Sequence, residues 1–349
     1  MYGVALTVWQ QVIWLLQAVA RPQAALRAGW ALGRMKVLRH AVPGLTTVRM
    51  FVPALGMAAA LTLVLSGALG ATAAEGFPRT LVDELGQAIV LEQPPQRIFS
   101  VGLAMDNILL SITDPARVVA VTRFALDPAS SYVIDRIQDH MIIVDQLNAE
   151  QVLAAHPDIV LITEWNNPDV VRQLRDLGVT LYTFTGFDTV EDALDMVLRI
   201  GEITGDEERA AAIVAEFRQR AAAVAERVAG RERPRVLVLD NWGGTTGPGL
   251  SAHDIIELAG GINLAAEYGI HGWQPIDREA VVEMNPDVII TYSGEAFAEE
   301  LRRDPVLQAV KAGRTGQIFH VNHMEIHTHH YILAIEELAR RLHPEAFSQ

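Results

Sequence analysis

The spacing of apolar and polar residues along this chain changes period several times, and each change marks an element. Between residues 206 and 229 no proline or glycine intervenes, and Ile213, Phe217, Ala221, Val224 and Val228 recur at helical spacing among Glu216, Arg218, Arg220, Glu226 and Arg227. That is the stripe of a helix with one packed face and one wet face. Thr204 followed by Glu207 has capping-box spacing, the acidic residues 206–208 suit a helix start, and Gly230 supplies a stop. At 1.5 Å per residue the helix would be roughly 36 Å long, enough to bridge two lobes. An ordinary surface helix would show the same pattern, so the flanking sequence has to decide.

Those flanks carry a repeat. NAEQVLAAHPDIVLIT at 148–163 and DREAVVEMNPDVIITY at 277–292 align without a gap, placing Glu150 on Glu279 and Pro157-Asp158 on Pro286-Asp287. Each copy reads as a short amphipathic helix, a Pro-Asp turn that ends it, and a continuous apolar strand of the kind buried in a parallel sheet. Around the first copy, a ribbon at 79–92 turned at Glu84-Leu85-Gly86 leads to strand 97–101, helix 105–112, strand 117–121, helix 147–154, strand 158–162, helix 167–176 and strand 179–182. After a helix at 191–203 and the long one, the pattern restarts. Strand 235–239, a glycine-rich loop at 242–249, helices 251–259 and 277–284, strands 287–291 and 317–321 and a closing helix 330–342 follow in turn. The alternation predicts an α/β fold of two Rossmann-like lobes with parallel sheets, at 74–188 and 231–349, joined across a helical connector at 189–230 by one long interlobe helix.

The first 73 residues behave differently. They hold six basic residues (Arg21, Arg27, Arg34, Lys36, Arg39 and Arg49) and no acidic one, and an uncharged apolar run at 51–70 ends in Ala71-Thr72-Ala73. This is the layout of a secretory signal cleaved before Ala74, with a retained membrane anchor as the alternative; Met35 is a plausible true start. Removing residues 1–73 leaves 276 and takes the formal charge from −14 to −20. So acidic a chain is a poor match for nucleic acid or an anionic membrane surface. With no cysteine, an exported chain has neither disulfides nor a thiol for lipid attachment, and must rely on its core.

The run TLVDELGQAIVLEQPPQRI, the two Glu-then-Pro-Asp units, GWQPIDREAVVEMNPDVII and the ending AIEELARRLHP together resemble the periplasmic substrate-binding proteins of ABC importers for metal chelates, the siderophore, haem and cobalamin binders. The resemblance runs from Thr80 to about Pro344. It departs at the first helix, where Met105-Asp106-Asn107 and Ile112-Thr113 replace the usual Thr-Glu and Leu-Gly. The resemblance implies two lobes on one rigid helix with ligand held between them, little hinge motion, a permease dimer as partner, a monomeric periplasmic protein and no cofactor or catalysis. It also implies that Glu150 and Glu279 meet arginines of the two permease subunits; helix-start glutamates that merely complement the dipole are the alternative.

Ligands of doubly wound sheets sit beyond the carboxyl ends of strands, so residues just after strands are the candidates. Arg123, Trp165, Trp242 and Tyr292 hold such places, and Trp273 precedes the second repeat unit as a cleft tryptophan does in the cobalamin binders. Aromatic walls with one cation suit a flat or bulky anionic chelate, although tryptophans also fill cores. Six of the eleven histidines (His253, His271, His323, His327, His329 and His330) lie between the long helix and the start of the closing one, outside the predicted strands. His327 and His329 are the best placed to hydrogen-bond or cap a chelated metal. A bare Zn or Mn site would draw ligands from both lobes, and the first offers only His140 and His156. The loop 243–249 opens a helix and has backbone N–H groups to offer an anion. Gly249-Leu250-Ser251-Ala252-His253 is a near miss to a nucleophile elbow and the seed of a hydrolase alternative.

Overall fold

The computed structural model describes residues 76–324 and 327–348; the signal segment expected at 1–73 lies outside them. Strands β1 (Arg79–Val82) and β2 (Ala88–Leu91) form the antiparallel ribbon, turned through Gly86 at φ 86°. The first lobe continues with β3 (Ile98–Ser100), α1 (Leu103–Ile112), β4 (Val118–Thr122), β5 (Ile142–Val144), α2 (Ala149–Ala155), β6 (Ile159–Thr163), α3 (Pro168–Asp176) and β7 (Leu181–Phe184). Two long helices, α4 (Val190–Thr204) and α5 (Glu207–Val228), come next. The second lobe holds β8 (Arg235–Val238), β9 (Gly244–Thr246), α6 (Ser251–Leu258), β10 (Ile262–Asn263), α7 (Leu264–Glu267), β11 (Trp273–Pro275), α8 (Arg278–Met284), β12 (Val288–Thr291), α9 (Glu295–Arg303), α10 (Lys311–Arg314), β13 (Ile318–His320) and α11 (Tyr331–Leu342).

Both main sheets are parallel. Their orders, β5-β4-β3-β6-β7 and β10-β8-β12-β13, reverse direction between β3 and β6 in one lobe and between β8 and β12 in the other. Those reversals open a crevice at the carboxyl ends of the strands. The repeat explains why β6 and β12 occupy equivalent places. Asn148 caps α2 by accepting from Gln151 N–H at 3.1 Å, and Asp277 caps α8 by accepting from Ala280 N–H at 2.8 Å. Each helix ends in a left-handed residue, His156 and Asn285, both at φ 45°. The aspartates of the two Pro-Asp turns then accept strand-leading amides, Asp158 from Arg97 N–H at 2.9 Å and Asp287 from Arg235 N–H at 2.8 Å. The same short-range hydrogen bonds therefore deliver each apolar strand into its sheet.

The connector is two helices thick. At 22 residues, α5 is about 33 Å long, and α4 packs along it. They approach closely at Gly201, where a Cβ would come within 2.5 Å of the Ala210 Cβ. The capping box expected at Thr204 and Glu207 is absent. Thr204 closes α4, its hydroxyl donating to Ile200 O at 2.9 Å, and Gly205 turns the chain at φ 77°. Asp206 instead accepts from Thr113 Oγ1 at 2.9 Å and from Arg117 Nη1 at 3.1 Å, tying the helix start to the first lobe. The box that does form is Thr189 with Asp192, at the head of α4. The polar run 204–208 thus turns one helix into the next rather than capping the second. One hydrophobic cluster runs from Ile98 and Ile159, through Ile200, Val214 and Phe217, to Val238, Ile255 and Ile335, so the two sheets share a core across the connector.

Candidate functional site

Asp240 organises the second lobe's wall. It follows β8 at the point of sheet reversal and is 2% exposed. Its Oδ1 accepts from the N–H groups of Trp242 and Gly244 at 3.0 and 2.9 Å, and its Oδ2 from Trp273 Nε1 at 2.6 Å and Tyr292 hydroxyl at 3.2 Å. Four donors converge on this one buried carboxylate, and two of them fix the Trp273 and Tyr292 rings. Three of the candidate residues are therefore brought together, and the aspartate that joins them was missed. Its sequence signal is its place as the first polar residue after an apolar strand, two positions before the bulkier Trp242.

The glycine-rich loop is no anion cradle. Residues 244–246 form β9, paired antiparallel with β11, and the Trp273 ring lies so close over Gly244 that a Cβ would fall 2.2 Å from the indole. Gly247 abuts Ile270 O, where a Cβ would meet the oxygen at 1.9 Å. The glycines admit a ring and a crossing backbone. Ser251 is 7% exposed at the head of α6 and touches Tyr331, which is not the protruding serine of an elbow.

On the first lobe, Trp165 follows β6, is 44% exposed, and its ring lies 5.0 Å from that of Phe187. The Phe187 carbonyl stands 2.7 Å from His327 Nδ1, and Tyr331 hydroxyl is 3.0 Å from the same nitrogen. Because a carbonyl can only accept, Nδ1 carries the proton, which leaves Nε2 with its lone pair. Phe187 so connects Trp165 to His327.

Tyr132 makes the second junction. Its N–H donates to Asn107 Oδ1 at 2.8 Å, its ring stacks on His330 at 4.1 Å and 13°, and its hydroxyl hydrogen-bonds His323 Nδ1. His330 in turn lies 4.0 Å from His329. Burial pushes His329 down to about 4, and burial together with the neighbouring His329, His323 and Arg220 pushes His330 down to about 3. Both are neutral near pH 7. His329 borders a pocket of about 260 Å³ with Ile213, Phe217 and Arg220 of α5 and Leu333 of α11. His323 and His330 belong to this junction rather than His327, since the spacing of loop histidines does not say which of them meet a tyrosine 191 and 198 residues earlier in the chain.

Arg123 is held apart from these groups. Its guanidinium takes both oxygens of Asp145, Nη2 at 3.2 Å, and the two side chains are 63% and 67% exposed. Glu150 and Glu279 stand exposed in the first turns of α2 and α8, with no ion pair among the described residues. No three His, Cys, Asp or Glu side chains among the described residues converge as a metal site.

The profile of a periplasmic binding protein family matches residues 98–323. A cobalamin-binding protein of Halobacterium salinarum is 32% identical over 221 residues, 62% of this chain and 58% of that protein, so the matched region spans under three-fifths of the relative's length. An ABC transporter substrate-binding lipoprotein of Bacillus subtilis, YvrC, is 26% identical over 79% of this chain and 88% of its own. Among solved structures, Helicobacter pylori CeuE with Ni(II) bound superposes with a TM-score of 0.62 at 22% identity, covering 77% of this chain and 90% of that one. The haem-binding protein RhuT of Roseiflexus does so at 0.61 and 23%, covering 72% and 99%. At such identities the likeness establishes the fold, two α/β lobes, and the profile match over residues 98–323 establishes the family: this chain belongs to the periplasmic binding proteins.

Proposed function

We propose that this chain is an extracytoplasmic solute-binding protein that captures a metal chelate (an iron siderophore, haem or a corrinoid) and delivers it to an ABC importer, with no catalysis of its own. The observation that carries this reading is the aromatic wall of Trp273 and Tyr292, keyed to a buried carboxylate where one sheet reverses, matched by Trp165 and Phe187 past the strands of the other lobe. Rigid rings set by hydrogen bonds present a large apolar surface at little entropic cost, as a bulky planar or macrocyclic ligand requires. Cobalamin and ferric enterobactin are the ligands named for two of the relatives.

On this reading Trp242 adds to the wall, and Arg123 exchanges the Asp145 carboxylate for one on the ligand, at small cost because an exposed ion pair contributes little. His327 offers Nε2 to a chelated metal, while His329 stays neutral beside it. The lobes are residues 74–188 and 231–349, with the connector 189–230 as a strut, and the protein acts as a monomer in a periplasm. Glu150 and Glu279, equivalent in the repeat, meet basic groups on the two halves of the importer's membrane dimer. Tryptophan fluorescence should be quenched on titration with one of haemin, cyanocobalamin or a ferric catecholate, and Trp165→Phe and Trp273→Phe should each reduce the quench and weaken binding. Unchanged quenching and affinity in both variants would refute the site.

A further inference from the structure

The repeat leaves a second mark on the surface. One turn after each exposed glutamate stands an exposed aliphatic side chain: Leu153 after Glu150, 40% exposed, and Val282 after Glu279, 43% exposed. They coincide in the same alignment that pairs the glutamates. Residues three apart on a helix are neighbours on one face, so each helix presents an acid beside an apolar group. The inward positions coincide too: Val152 and Ala155 are buried in α2 and Val281 and Met284 in α8. With the inner face committed to the core, Leu153 and Val282 are the large apolar side chains that these two helices leave exposed. A lone exposed aliphatic residue is ordinary, but the same one in the same register beside the same acid on both lobes calls for a partner that is itself repeated.

We propose that the docking surface for the importer is a pair of equivalent mixed patches, Glu150 with Leu153 and Glu279 with Val282, and that the two-fold membrane dimer presents to each a cation beside an apolar hollow. This rests on the importer-delivery reading above and adds a division of labour. The glutamates steer encounter and fix orientation, and the aliphatic side chains, desolvated on contact, slow dissociation. An acid alone would bind through a wet, salt-sensitive contact; the apolar neighbour excludes water from it.

The test is binding of the ligand-free protein to its importer in lipid nanodiscs, measured at about 50 and 300 mM salt. Leu153→Ser with Val282→Ser should weaken binding about tenfold, mainly through faster dissociation, and leave the salt dependence intact. Glu150→Gln with Glu279→Gln should slow association and flatten the salt dependence. A control pair, Leu85→Ser with Val90→Ser, alters aliphatic residues of the β1–β2 ribbon that are still more exposed (56% and 58%) and should change nothing. Unchanged melting temperatures certify folding. If the serine pair binds like the unaltered protein while the glutamine pair fails, the mixed patch is wrong and the glutamate docking stands. If neither pair weakens binding, docking through these helices is wrong altogether, and equal weakening by the ribbon control would overturn the patch as a specific surface.

Discussion

Asp106 offers a stability test with a definite sign. It lies in the first turn of α1, fully buried, where its Oδ2 accepts from Thr122 N–H at 2.9 Å and Thr122 Oγ1 at 2.5 Å. Its Oδ1 and the Ser100 hydroxyl make no hydrogen bond of ordinary geometry among the described residues, but the hydroxyl lies close enough to favour the ionised carboxylate. Burial raises the carboxyl from its ordinary value of 3.8 to about 6, against the pull of the Ser100 and Thr122 donors. The unfolded chain then ionises about two pH units before the folded one, so unfolding releases a proton between pH 4 and 6 and stability falls as pH rises through that window. At 1.36 kcal/mol per unit the loss amounts to about 3 kcal/mol above pH 6. Asp106→Asn keeps the acceptor for Thr122 and places an amide donor beside the Ser100 hydroxyl. The variant should gain about 3 kcal/mol at pH 7.5, roughly 6–12 °C in melting temperature for a chain of this size, and almost nothing at pH 4. Thermal melts followed by circular dichroism across pH 4–8 decide it. A variant less stable than the parent at pH 7.5, or a difference that does not change with pH, would refute the reasoning.

Asp240→Asn replaces one acceptor oxygen with a donor that opposes either the Trp273 indole or the Trp242 and Gly244 amides; it should cost about 2–3 kcal/mol and shift tryptophan emission, and a melt equal to the parent's would contradict the keyed wall. The shared core through α4 and α5 predicts that ligand alters the radius of gyration by under about 1 Å in small-angle scattering, whereas a fall of several Å would mark hinge closure. Glu150→Ala with Glu279→Ala should nearly abolish uptake by reconstituted importer vesicles, and normal uptake would remove those residues from docking.

Much of this architecture is local in origin and was therefore legible. The two Pro-Asp units carry their own caps and left-handed ends, so their helices and strands follow from short-range chemistry. The α5 stripe is plain in part, because Phe217 and Val224 are buried and Ile213, Ala221 and Val228 half-buried at helical spacing, while Ala210 and Val214 complete the buried face. What escaped depends on distant pairing. Strand β5 is three residues at a sheet edge, too short for a period, and the glycine-rich loop became a strand only because Trp273 arrives from 29 residues downstream to cover Gly244. The histidine junction with Tyr132 was hidden for the same reason. Asp206 shows the converse, since a locally convincing cap signal was overridden by Thr113 and Arg117.

On the proposed function the ligand is a whole chelate, metal and chelator together. Native mass spectrometry of the protein, purified from its native host and then offered haemin, cyanocobalamin and a ferric catecholate, is the decisive measurement. One equivalent of a single adduct is expected, with the mass of metal plus chelator, lost or weakened in Trp273→Phe. Binding of bare zinc or manganese instead, or an adduct-free protein after all three, would contradict it.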